Sequence, residues 1–274
     1  MKYDQFSAWY DKEHAIVLDK LSAFPSILIK HHYDSLNEVM LLKKYINNIH
    51  GFKFFEIGCA TGEFYRYLTK NFKKFNYLGF DISIPAIKRA KLRFPRNKFF
   101  LLKSKEIFKI KSNFGKANLV WARDVVLHQK NPYKFINFLL DLSSEAVVMK
   151  LRTRDNGKTF YDVKNSCQLH WNKHWAPYIV LNTKELINKI SSNKEVNRIY
   201  ISRNYQVLGG HNYRYLPKDL YYLKSKTAET SILVLKGKRK NNKVEILYFD
   251  RKERSDYNYF FRFIRKIYIF FSKN

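Results

Sequence analysis

The chain has 274 residues, with 52 Lys and Arg against 23 Asp and Glu, for a formal net charge of +29. A hydrophobic content of 46% excludes a disordered chain, and the length is ample for a sizeable core. Two cysteines, Cys59 and Cys167, exclude a disulfide framework and lack the spacing of a structural zinc site.

Residues 1–50 read as a helical cap. Leu18, Leu21, Ile27 and Ile29, then Leu36, Val39, Leu42 and Ile46, recur at three- to four-residue spacing, interrupted by Pro25. From residue 51 short apolar runs alternate with amphipathic stretches. Strands are predicted at 52–57, 77–82, 98–102, 117–122 and 145–151, with helices to about residue 71, at 84–94 and at 131–142. This alternation specifies an α/β fold with a mostly parallel sheet and helices on both faces. Beyond residue 152 the rhythm breaks. A polar, aromatic stretch to 182 reads as a lid inserted in the core, followed by a helix at 183–190. Strands at 196–201 and 231–236 read as an antiparallel pair that ends the core at 237. Residues 238–274 read as a charged linker and a basic aromatic helix.

Phe54-Phe55-Glu56-Ile57-Gly58-Cys59-Ala60-Thr61-Gly62-Glu63 follows a strand and opens a helix. Small residues at 58, 60 and 62 let the backbone turn sharply and a ligand approach it. The Gly-Lys-Ser/Thr ending of a phosphate-binding P-loop is absent, and Glu56 is an acid where a pyrophosphate would be repelled. A carboxylate there suits a cationic ligand. Asp81 ends the next strand, placed to accept both hydroxyls of a ribose. Together these describe S-adenosylmethionine better than a dinucleotide.

The segment resembles motif I of class I S-adenosylmethionine-dependent methyltransferases of the bacterial small-molecule and glycan type, and Asp81 matches their acid after the second strand. The opening Tyr3-Asp-Gln-Phe-Ser-Ala-Trp-Tyr-Asp11 is similar to the "FDxxAxxYD" start of many members. The resemblance covers about residues 1–150. It implies a Rossmann-like seven-stranded sheet and a cofactor backed by Gly58, Ala60 and Gly62. Ile82 would pack on the adenine. The family's acid after the third strand is missing at the expected place, so Ser104, a backbone carbonyl or, less well placed, Glu106 is expected to substitute.

Trp121-Ala-Arg-Asp-Val-Val-Leu-His-Gln129 follows the strand that points at the transferred methyl in this fold, and resembles the "D-x-L-x-H" form of motif IV. Asp124 and His128 are the catalytic candidates, His128 as base and Asp124 as base or pocket wall. Asn131-Pro132-Tyr133 is similar to a nucleobase-methylation signature, but Asn as N-cap with Pro in the first turn explains it.

In the lid, Trp171, Trp175 and Tyr178 offer flat faces, and Arg152, His170 and His174 offer polar handles for a sugar or another polar ring. His170 and His174 would share one face if helical, but no third ligand is near and no metal is expected. Residues 236–274 hold 12 basic and 4 acidic residues. On a wheel, Phe260, Phe263, Ile264, Ile267, Tyr268 and Phe271 lie opposite Arg262, Arg265, Lys266 and Lys273. That pattern fits a helix on an anionic membrane surface or one docked on the core. No secretory signal and no stretch of about 18 apolar residues is present, so a cytoplasmic protein, soluble or peripheral, is expected.

The reading is an S-adenosylmethionine-dependent O-methyltransferase of a glycan or small polar acceptor, with nucleic acid not expected as partner. The alternatives are an RNA methyltransferase, favoured by charge, and a non-catalytic scaffold.

Overall fold

The computed structural model describes residues 6–46, 51–72, 75–103, 106–161, 167–170, 174–205, 214–215, 226–250, 263–264 and 267. The helices are α1 (Lys12–Ser22), α2 (Ser26–Asp34), α3 (Asn37–Ile46), α4 (Glu63–Asn71), α5 (Ile84–Arg93), α6 (Ile110–Phe114), α7 (Pro132–Leu142) and α8 (Thr183–Ser191). The strands that alternate with them are β1 (Phe52–Ile57), β2 (Phe75–Asp81), β3 (Lys98–Leu101), β4 (Ala117–Arg123) and β5 (Ser143–Arg154). Then come β6 (Cys167–His170), β7 (His174–Pro177), β8 (Leu181–Asn182), β9 (Val196–Tyr205), β10 (Arg214–Tyr215), β11 (Thr227–Lys236) and β12 (Glu245–Tyr248).

The main sheet runs β12-β9-β11-β5-β4-β1-β2-β3, with β8 beside β5. Pairings are parallel except those of β11, which is antiparallel to both β5 and β9. The expected α/β architecture is therefore present, with nine strands rather than seven. One extra strand, β12, lies where a linker was predicted. It is a mostly exposed edge strand of four residues, and its short Ile246-Leu247-Tyr248 run is set among charged residues that read as a linker.

The predicted lid divides. Arg152 and Arg154 belong to β5, which continues three residues beyond its predicted end, and β6, β7 and β10 form a separate three-stranded sheet. Charged residues alternate along the end of β5, a surface-like pattern, but cross-strand neighbours on β11 bury them. Lys150 lies opposite Ser231, and Arg152 opposite Glu229.

Two apolar layers sandwich the sheet. Phe54, Leu119, Trp121 and Val148 pack with α2–α5 on one face, and Phe55, Val120, Val147 and Met149 with α7 and α8 on the other. Trp121 stacks on Phe64 of α4 at 4.2 Å, fixing that helix over the sheet. At α7, Asn131 accepts from the Lys134 amide at 3.0 Å with Pro132 behind it, so the Asn-Pro pair is a helix cap.

The cap helix α1 is strapped to the core. Asp19 pairs with Arg89 at 3.0 Å and Arg93 at 2.7 Å on α5. Arg66 of α4 donates to the carbonyls of Ser22 at 2.7 Å and Phe24 at 2.6 Å, and the Ser22 hydroxyl meets that of Thr61 at 2.7 Å. The Asp19 pairs are partly exposed, and such pairs contribute about 1 kcal/mol or less. Asp19→Ala is expected to speed amide exchange in α1 several-fold while leaving β1, β4 and β5 unchanged. Hydrogen-exchange mass spectrometry checks this.

Candidate functional site

The site forms where β1, β2 and β4 end side by side. Leaving β1, the chain turns through Gly58 at φ +83°, Ala60 at +47° and Gly62 at +83°. A Cβ on Gly58 would lie 2.5 Å from Val125 Cγ2, and one on Gly62 2.9 Å from the Phe94 ring, so glycine is required at both. The Gly58 and Cys59 amides donate to the Phe80 carbonyl at 2.8 and 3.1 Å. The Ala60 amide donates to Asp81 Oδ2 at 2.8 Å, and the Ser83 amide to Oδ1 at 2.8 Å. Asp81 thus ties two loops together. Burial raises its pKa, against the pull of these amides.

A cavity of about 660 Å³ opens above this turn. Glu56, Gly58, Ala60, Asp81 and Ile82 line one end, and Asp124, His128, Arg152 and Tyr178 the other. Of the predicted residues, Gly62 lies behind the turn rather than in its wall. Ser104 and Trp171 lie outside the described residues, as do the side chains of His170 and Trp175. His174 stands apart from the cavity, in a shallow depression with its Nε2 3.6 Å from Asp11. His170 and His174 are register partners on the antiparallel strands β6 and β7 instead of sharing a helix. Among the described residues no His, Cys, Asp or Glu cluster could hold a metal.

Glu56 is buried and accepts a hydrogen bond from Tyr77 Oη. Burial, helped by the charges of Asp81 and Glu63 and opposed by Tyr77 and Arg123, pushes its pKa up to about 8.

At the other end, Asp124 sits at φ +54°. Burial works against its ionisation, but Lys150, Arg152 and Arg123 outweigh it and hold the carboxyl below the usual range. Asp124 is therefore a fixed negative charge; the expected role as a base needs a proton affinity it does not have.

Burial depresses His128 to about 4 despite its bond to Pro177, so the ring is neutral at pH 7. Nδ1 lies 2.7 Å from the Pro177 carbonyl oxygen, which can only accept, so Nδ1 carries the proton and Nε2 is the basic nitrogen.

Trp9, His14 and Arg123 are among the cavity residues that the sequence did not single out. Trp9 and His14 come from the N-terminal segment, with ring centroids 4.8 Å (Trp9 to His128) and 5.5 Å (Trp9 to His14) apart. They lie in or just beyond the opening motif, which was valued as a resemblance and not for its side chains. Arg123 lines the cavity from the end of β4.

A family model described as a methyltransferase domain matches residues 33–208. No curated protein matches the chain. Among solved structures, the N-terminal domain of EvdMO1 in the presence of SAH and D-fucose superposes with a TM-score of 0.50 at 10% identity, covering 72% of this chain and 81% of that one. Phospholethanolamine N-methyltransferase 2 of Haemonchus contortus, in complex with phosphomonomethylethanolamine and S-adenosylhomocysteine (SAH), gives 0.50 at 13% identity, covering 74% and 52%. Magnesium protoporphyrin IX methyltransferase of Synechocystis PCC 6803 with bound SAM gives 0.45 at 13%, covering 74% and 79%. At these identities the first two superpositions show a shared fold and nothing finer.

The folded-state pKa of Glu56 exceeds its unfolded value near 4.5. Its contribution to stability is thus whole below about pH 4.5 and is lost as the pH rises towards 8. Glu56→Gln is expected to raise the apo-protein Tm by about 3 °C at pH 7.5 and not at pH 4, as checked by thermal melts at both.

Proposed function

This chain belongs to the methyltransferase-domain family, and on that premise we propose that it methylates a hydroxyl oxygen of a neutral, ring-shaped polar acceptor such as a sugar. Its cofactor is S-adenosylmethionine, which supplies an electrophilic methyl on a sulfonium. The residues at the turn fit that cofactor. The glycines keep the backbone bare, Asp81 retains lone pairs beyond the two amides it accepts, and Glu56 offers a carboxyl to a cation.

The observation that carries the acceptor assignment is the balance of charge opposite the turn. Arg152 donates from Nε to Tyr178 Oη at 2.9 Å, from Nη1 to Asp124 at 3.3 Å and from Nη2 to Glu229 at 2.9 Å. Lys150 lies 3.4 Å from Asp124 and 3.7 Å from Glu229, and Arg123 is 2.9 Å from Glu38. Arg123, Lys150 and Arg152 are therefore met by Glu38, Asp124 and Glu229. An anionic acceptor would have to displace these acids, whereas a neutral one leaves the network intact.

Trp9 provides a flat platform beside His128. His128, neutral and protonated on Nδ1, accepts the hydroxyl proton at Nε2 as the oxygen attacks; burial weakens it as a base, and the negative charge of Asp124 opposes that loss. Asp124 holds negative charge near the reacting centre and pairs with Arg152 Nη1 at 3.3 Å. The cavity walls align the reactants for in-line displacement, and no covalent intermediate with the protein forms.

The tail supports a membrane-proximal acceptor, such as a surface-polysaccharide intermediate assembled at the cytoplasmic face. Ile264 packs against the core, while Phe263 and Ile267 are exposed. Phe260, Tyr268 and Phe271 of the predicted apolar face lie outside the described residues. Among the described residues no helix is long and apolar enough to cross a membrane.

Methyl transfer from labelled S-adenosylmethionine should be detected with unphosphorylated sugars and be at least about tenfold weaker with their phosphates. With an accepted sugar, His128→Ala should lower kcat about 100-fold or more and leave SAH affinity within about twofold. Full activity in that variant would remove the base assignment.

A further inference from the structure

The register of the first two strands brings an additional residue to the cofactor carboxyl. Glu56 on β1 lies directly opposite Gly79 on β2. Tyr77, two residues earlier on β2, lays its phenol over that glycine: a Cβ at position 79 would come 2.7 Å from Tyr77 Oη. The bare backbone leaves a passage through which the hydroxyl reaches Glu56 and donates to Oε2 at 2.5 Å. The ring is held in turn, stacked on Phe54 at 6.0 Å and packed against Tyr65 at 4.8 Å and Phe99 at 5.6 Å. Both partners of the bond are buried, and Glu56 also faces the cavity.

The groups around the pair leave Glu56 without a close cation. Asp81 faces it from the tip of β2, Cys59 from the turn and Glu63 from α4; Tyr33 of α2 faces Tyr77. Arg123 of β4 is the cation on this side, and it is bound to Glu38 at 2.9 Å. A buried carboxyl with one neutral donor and two acidic neighbours favours its protonated form until a cation arrives.

We propose that Tyr77 is a positioning residue for Glu56, and that Glu56 gives up a proton to solvent as it receives the ammonium group of the cofactor. This rests on the reading of the cavity as the cofactor site. The balance is simple: a neutral carboxyl becomes a carboxylate, the proton passes to the buffer, and Tyr77 keeps its own proton throughout. Its donated bond favours the ionised form of Glu56 and aims Oε2, so Tyr77 sets how readily the exchange occurs.

The test is calorimetric titration of the full chain with SAH at pH 6.5, in two buffers of different ionisation enthalpy. Release approaching one proton per SAH is expected, with affinity rising about tenfold per pH unit from pH 6 and levelling towards pH 8. Methylthioadenosine, which keeps the adenosine and lacks the ammonium, should bind with no proton release. Tyr77→Phe keeps the packed ring and removes the donor. It should weaken SAH about tenfold at pH 6.5, shift the levelling to higher pH and leave methylthioadenosine unchanged. A merely structural defect would weaken both ligands alike. SAH binding that is independent of pH and releases no proton overturns the proposal and leaves the cofactor site standing. Failure of SAH to bind at millimolar concentration overturns the cofactor-site reading and the proposal with it.

Discussion

Two parallel strands that end side by side leave their last carbonyls and amides without ladder partners, and the loops beyond them must supply the missing bonds. Here the turn after β1 bonds to the tip of β2: two amides share the Phe80 carbonyl, and the Ala60 amide takes Asp81. The positive φ angles at 58, 60 and 62 follow from this attachment, because only a tightly coiled chain reaches back to β2 and still launches α4 over the sheet. Once the turn is pinned, its backbone faces outward, α4 is stacked on Trp121, and Thr61 is placed to meet Ser22 of the cap helix. The cavity floor, the helix above it and the docking of the N-terminal segment all descend from one set of amide bonds.

The cavity then divides by its electrostatics. At the turn, Glu56, Glu63 and Asp81 converge, and the carboxyl of Glu56 is held above its ordinary range. At the tips of β4, β5 and β11 acids and bases are interleaved and matched. A ligand that is cationic at one end and neutral at the other meets both conditions. The protein's net charge of +29 is thus absent from the place where selection of a small ligand is decided. Overall charge describes the outer surface, whereas the buried pairs describe the site.

Most of the first 150 residues is legible in the sequence because each element there announces itself locally. Phe52–Ile57 is a short run rich in strand-forming Phe and Ile, Asn131-Pro132 is a cap, and Gly58 and Gly62 bracket a turn. What stays hidden depends on partners far along the chain. Arg152 reads as a polar handle in a substrate lid until Glu229 is known to lie opposite it, 77 positions away. Glu38, on the third helix, is inconspicuous until it is seen to hold Arg123 and Ser231. Asp124 was legible as a site residue, but its protonation state was not, since that is set by cations from a neighbouring strand. Trp9 stood in a motif noticed for its family likeness, yet only the folded cap puts its ring against His128.

The same distinction bears on why a strand interior keeps a glycine. Gly79 has no positive φ and makes no turn, and a bulkier residue would serve the sheet better there. Its value lies across the strand. An unobstructed backbone opposite Glu56 lets Tyr77 reach the carboxyl from within the same layer, whereas a Cβ would crowd both the phenol and Cys59 of the turn. The strand gives up packing at one position so that a carboxyl buried beside other acids has a fixed neutral donor. A carboxyl in that setting weakens the empty protein as the pH rises, and it is the arrangement that gains most when a cation enters. Local instability and ligand affinity are two readings of one buried group.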